Sequence, residues 1–179
     1  MADFYIAYER TLGFEGGEKM TNDPEDPGGR TKYGIAENYW PQYWQNGEPT
    51  EEDADLFYRN EFWQKMRGDA IDDQLVANEI FDTAVNCGNS THRYVQEVFN
   101  ALTADLRGSE CPELEVDGKI GPKTLEAVNW FTVREEWRDA MLAALDFRQA
   151  DRYWNGKTKF RRGWFAKRVG GHHKNGSAA

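Results

Sequence analysis

Glu15, Asp23 and Asp26 lie close together among Gly16, Gly17, Pro24, Pro27, Gly28 and Gly29, and Thr31, Lys32, Tyr33, Gly34 and Ile35 follow. Such a stretch is poor material for a core and good material for a site. Glycines open backbone angles closed to other residues and let a ligand approach the main chain, while prolines cut the entropy lost on ordering. The chemistry that suits paired carboxylates is cleavage of a glycosidic bond, in which one stays protonated to donate to the leaving oxygen and the other is ionised to activate water or attack the sugar. Glu15 stands beside Phe14 and after Leu12, where an apolar wall would raise its pKa; Asp23 and Asp26 fall in a polar loop that keeps them charged. An ordinary surface turn is the plainer reading of the same residues, and a calcium loop the weaker one, since the alternating oxygen ligands and closing glutamate of an EF-hand are missing.

Elements that would position these groups can be read from the spacing of apolar residues. A helix over Asp3 to Leu12 presents Phe4, Ala7, Tyr8 and Leu12 on one face, with Gly13 as its stop and Glu15 just beyond. Residues 31–35 suit a short strand or turn. Thr50 with Asp53 reads as a capping box, and Gln74 to Asn86 as a helix that Asn86 either caps or leaves for a ligand. Val95, Val98, Phe99, Leu102 and Leu106 keep helical spacing behind an N-cap at Ser90 or Thr91; residues 107–115 read as the longest internal loop. Asp117-Gly118 marks a turn, Pro122 opens a further helix, and Thr132 is expected to cap a long one from Val133 to Tyr153 ending at Gly156. The fold class is mainly α, with a Gly/Pro-rich loop and little strand.

Bulk properties narrow the field. With 179 residues and 39% hydrophobic side chains, the chain can bury one respectable core. We expect one domain over 1–169, with lobes 1–90 and 91–169, and a disordered tail over 170–179. A net charge of −9 argues against nucleic acid and against anionic membrane surfaces. No apolar run approaches the ~20 residues of a membrane span, and the N-terminus lacks the basic and apolar segments of a secretory signal. Cys87 and Cys111 have neither Cys-x-x-Cys spacing nor a nearby His pair, so no zinc site, disulfide framework or other cofactor is indicated, and Cys87 reads as a buried small residue. The cationic, aromatic stretch 157–168 reads as a final amphipathic helix or, alternatively, as a surface that touches a partner or a membrane. Nothing points beyond a monomer.

Glu15-Gly16-Gly17, Asn22-Asp23-Pro24, Asp26-Pro27-Gly28-Gly29 and Thr31-Lys32-Tyr33-Gly34-Ile35 together resemble the signature of the N-acetylmuramidase and secretion-activator family, glycoside hydrolase family 108. The resemblance continues in Tyr58-Arg59, Phe62-Trp63, Arg67-Gly68-Asp69, Phe81 to Gly88 and Val116 to Leu125. It implies a lysozyme-like helical fold and hydrolysis of peptidoglycan between N-acetylmuramic acid and N-acetylglucosamine. It further implies Glu15 as general acid, Asp26 and Thr31 as the groups that orient or activate water, and Asp23, Tyr33 and Asn86 in the substrate cleft. Asp23 remains an alternative to Asp26, because the spacing from Glu15 departs slightly from the phage-lysozyme pattern. Segment 112–131 resembles a peptidoglycan-binding repeat. The wider implication is a phage endolysin kept in the host cytoplasm until a holin-type pore releases it to the wall.

Overall fold

A computed structural model describes residues 1–15, 18–106, 111 and 113–155, with side chains described at all of these except 13–15. Helix α1 spans Phe4–Glu15 and is followed by a small antiparallel sheet of β1 (Thr21–Asn22), β2 (Arg30–Lys32) and β3 (Ile35–Ala36). Five more helices complete the described chain: α2 (Glu51–Tyr58), α3 (Gln74–Cys87), α4 (Ser90–Leu102), α5 (Pro122–Thr132) and α6 (Glu135–Asn155). The protein is mainly α, as its apolar spacing predicts. The expectations for 157–168 and 170–179, and for most of the 107–115 loop, lie outside the described residues.

Helix α3 is the axis of the core, packed on α1, α4 and α6. Asp73 caps it by accepting the Val76 amide at 3.0 Å, and Val76, Ala77, Ile80 and Phe81 are wholly or nearly wholly buried. Phe81 meets Phe4 of α1 with ring centroids 5.9 Å apart and Trp63 at 5.7 Å. Aromatic rings in edge-on contact bury large areas and hold a fixed mutual orientation. Trp63 closes a π-helical stretch, Arg59–Trp63, that continues directly from α2.

Starts of α1 and α3 are clamped side by side. The Asp3 amide donates to the Gln74 side-chain carbonyl at 2.6 Å, the Gln74 amide returns a bond to the Asp3 carbonyl at 3.0 Å, and the Ala2 amide bonds to the Ile71 carbonyl at 2.7 Å. Both helices run on from that clamp in the same sense.

Several local expectations change. Helix α1 continues through Gly13 to Glu15, because the packing of Phe4, Ala7 and Tyr8 outweighs the modest cost of a helical glycine. The residue before α4 is Asn89, with Ser90 already helical and no side-chain cap bond. Thr132 is the last residue of α5 and bonds back to the Val128 carbonyl at 2.8 Å instead of capping α6. Asn86 lies inside α3, whose C-cap is Gly88.

Candidate active site

The loop from Asp23 to Gly29 is held by its own carboxylates. The Asp23 Oδ1 accepts the Glu25 amide at 3.0 Å and the Asp26 Oδ1 accepts the Gly28 amide at 2.9 Å, while the Asp23 and Asp26 carbonyls accept the amides of Asp26 (2.9 Å) and Gly29 (3.1 Å). These are two successive Asx turns, which is why Asp, Pro and Gly alternate here. Both carboxylates are exposed. Gly29 needs to be glycine: its φ is +72°, and a Cβ would come within 2.8 Å of the Asn38 amide nitrogen.

Strand β2 brings the chain back, with Thr31 opposite Thr21 on one side and Ala36 on the other. These pairs lie on the sheet face opposite the buried Ile35, and Thr31 is half-buried there. Among the described residues its hydroxyl reaches the Gly29 carbonyl alone, at 3.4 Å, a long and therefore weak contact. Tyr33 (φ 52°) and Gly34 (φ 75°) form the two-residue tip between β2 and β3, the left-handed pair a tight hairpin requires. A bulky residue at positive φ is strained unless its surroundings fix it. Here the buried Tyr58 hydroxyl donates to the Tyr33 carbonyl at 3.0 Å, and the Tyr58 ring packs 5.5 Å from Tyr8 of α1. Hairpin tip and helix are thereby tied through Tyr58.

Glu15 is the last residue of α1, seven residues and so two turns beyond Tyr8 on the same helical register. Counting from the clamp, Glu15 is twelve residues past Asp3 and Asn86 twelve past Gln74, each about 18 Å along its own helix. Asn86 is the last residue but one of α3. Its amide nitrogen donates to the Asp82 carbonyl at 2.6 Å and toward the Asp82 carboxylate at 3.3 Å. Two acceptors on that side fix the amide's orientation and turn its own carbonyl oxygen away from Asp82 as an acceptor. Asp82 is nearly buried, and the same carboxylate oxygen also accepts from Gln149 of α6 at 3.1 Å.

Asp82, Gln149, Tyr8 and Tyr58 are site-building residues that periodicity does not reveal. The spacing of Asp82 and Asn86, one helical turn apart, was the available signal. Burial pushes the Tyr8 hydroxyl up to about 12, with the charges of Asp55 and Glu51 adding to the effect, so it stays protonated. Just beyond Asn86, a hollow of 220 Å³ is lined by Trp40, Phe62, Glu61, Lys65, Asn89 and His92. Burial lowers the His92 pKa below its usual 6.5 against the opposing bond to the Gly118 carbonyl, with a further small lowering from Lys65. Arg67-Gly68-Asp69, which resembled part of a family signature, serves packing: Gly68 lies flat against the Trp63 ring and Asp69 accepts the indole N–H at 2.8 Å.

Residues 8–88 match the glycosyl hydrolase 108 family. The first half of the chain belongs to that family. Residues 90–169 match a domain described as a predicted peptidoglycan domain. Together the two matches support a peptidoglycan-related glycoside hydrolase. The solved structure of Brucella abortus SagA has the same fold, with a TM-score of 0.67 over 91% of this chain and 87% of that one at 24% identity. No curated protein matches the sequence.

Proposed function

We propose that the protein is an N-acetylmuramidase, hydrolysing the β-1,4 bond between N-acetylmuramic acid and N-acetylglucosamine. The observation that supports this reading best is the Tyr58-anchored hairpin, which carries Thr31 and the Asx-turn carboxylates and is tied through Tyr8 to α1, the helix that ends at Glu15. Glu15 acts as general acid, protonating the glycosidic oxygen as the bond breaks. Asp26, in the exposed loop, is the partner carboxylate, with Asp23 one turn earlier as the alternative. Thr31, with its loosely engaged hydroxyl, holds the attacking water, which favours inversion at the anomeric carbon. Asn86 accepts a hydrogen bond from an acetamido N–H, and Tyr33 borders the sugar. The cellular setting proposed is phage lysis, with the enzyme released to the wall through a holin-type pore.

Digestion of purified sacculi by the parent chain and by Glu15→Gln tests the reading, with fragments identified by mass and reducing-end assay. The expected result is reducing N-acetylmuramic acid ends from the parent and a loss of ~100-fold or more in the variant. Anhydro ends would make it a lytic transglycosylase. Equal activity in the folded variant would remove Glu15 from the mechanism, and no cleavage by the parent would leave a wall-binding protein.

A further inference from the structure

The second half of the chain holds a groove of about 880 Å³, against 220 Å³ for the hollow beside Asn86, and it shares no lining residue with Asp26, Thr31, Tyr33 or Asn86. One wall is the extended stretch before α5, and α4 side chains fix it in place. Asn100 donates to the Leu114 carbonyl at 2.7 Å and accepts the Leu114 amide at 2.8 Å. One turn earlier, Gln96 accepts the Gly118 amide at 2.9 Å and donates to the Asp117 carboxylate at 2.8 Å and the Lys119 carbonyl at 3.0 Å. Both amides are buried, and together they bond the backbone of this segment as a neighbouring strand would. A wall fixed before a ligand arrives lowers the entropy cost of binding.

Helix α5 supplies the other wall through Ala127 and Trp130, whose ring is braced by Trp137 at 5.7 Å. Glu113, Glu115, Asp117 and Glu126 outnumber Lys119 and Lys123 around the opening. Carboxylates accept hydrogen bonds and repel other carboxylates. An aromatic wall faced by acceptors suits a neutral ligand rich in hydroxyl and amide N–H donors, which describes an N-acetylated glycan strand; the anionic stem peptides of the wall would meet like charge.

The geometry points to a second saccharide site: a groove that grips the glycan backbone of peptidoglycan away from the bond being cut. This inference rests on the family reading of residues 90–169 and not on the role of Glu15. Its test is sedimentation of the Glu15→Gln chain with sacculi, so that the polymer is not consumed, alone and with Glu126→Ala or Trp130→Ala added. Glu126 is exposed, so its replacement leaves the fold intact even where loss of Trp130 does not. Losing a charge-assisted hydrogen bond to a sugar weakens binding about tenfold. We expect that shift for Glu126→Ala and undiminished binding of the Glu15→Gln parent to glycan strands stripped of their stem peptides. In the chain that keeps Glu15, Glu126→Ala raises KM on sacculi and leaves kcat, and the turnover of a short soluble glycan, unchanged. Binding of sacculi by Glu126→Ala and Trp130→Ala as tight as the parent's, or failure of the parent to hold stripped strands, overturns the groove. A non-catalytic Glu15 would leave the sedimentation results standing.

Discussion

Gly68→Ala is the substitution whose cost can be worked most directly from the coordinates. A Cβ at Gly68 would lie 2.4, 2.4 and 2.6 Å from three ring carbons of Trp63. Ordinary carbon contacts begin near ~3.5 Å, so the indole would have to retreat by about 1 Å. It has nowhere to go, being wholly buried with Phe4 and Phe81 each 5.7 Å away between centroids. Overpacking of this kind costs about 1–3 kcal/mol. Moving the indole also breaks its 2.8 Å bond to the Asp69 carboxylate, and a hydrogen bond to a charged group contributes about 1.5–3 kcal/mol. The combined loss of roughly 3–5 kcal/mol lowers the melting temperature of a chain this size by about 6–20 °C. Thermal denaturation followed by circular dichroism reads it out, with Gly121→Ala as control. A Cβ at Gly121 meets nothing within 4 Å, so only the loss of a good N-cap residue, under about 1 kcal/mol, is expected there. If Gly68→Ala melts within 2 °C of the parent, on the order of the smallest shift worth 1 kcal/mol, the contact does not fix the Trp63 position and the reasoning fails.

Asn86→Leu should reduce hydrolysis of sacculi about tenfold or more while lowering the melting temperature by only ~2–4 °C, the equivalent of one ordinary hydrogen bond; parallel losses of activity and stability would make Asn86 a packing residue. Thr50→Ala removes the cap that accepts the Asp53 amide at 3.2 Å and should cost about 1 kcal/mol in denaturant titration, leaving activity untouched. His92 has its folded pKa lowered, chiefly by burial, so the unfolded chain binds the proton more readily and stability is lost as pH falls through the unfolded value near 6.5 toward the lower folded one. His92→Gln should flatten the melting temperature between about pH 7 and pH 5; curves that stay parallel to the parent's would refute this.

The parts of the fold legible in the sequence are those governed by neighbours along the chain. Thr50 and Asp53 form the expected capping box, Gly118 takes the left-handed turn (φ 75°) after Asp117, and Pro122 stands at the start of α5. Each depends on a few consecutive residues and little else. Strand β1 was not foreseen, because two residues have no period to read and Thr21–Asn22 becomes a strand only through pairing with β2. Local preference makes Gly13 a helix stop, Asn86 a possible C-cap and Thr132 the N-cap of the last helix, whereas Gly13 and Asn86 lie inside α1 and α3 and Thr132 closes α5. The candidate site divides in the same way. Its loop announced itself by composition, whereas the Tyr8–Tyr58–Tyr33 connection and the hold of Asp82 and Gln149 on Asn86 join residues far apart in sequence. Buried Glu79, Asp82, Thr83 and Gln149 carry the polar signature of surface positions, so periodicity alone places them wrongly.

The clamp at Asp3 and Gln74 has a consequence for alignment. Helix α1 behaves as a stiff rod pinned near one end, with its far end about 18 Å away. A tilt of ~5° at the pin displaces that end by roughly 1.5 Å, and errors of about 1 Å in a reacting group can cost ~100-fold in rate. On the proposed role of Glu15, its placement is set in part from the opposite end of that lever, by a pair of exposed hydrogen bonds between Asp3 and Gln74.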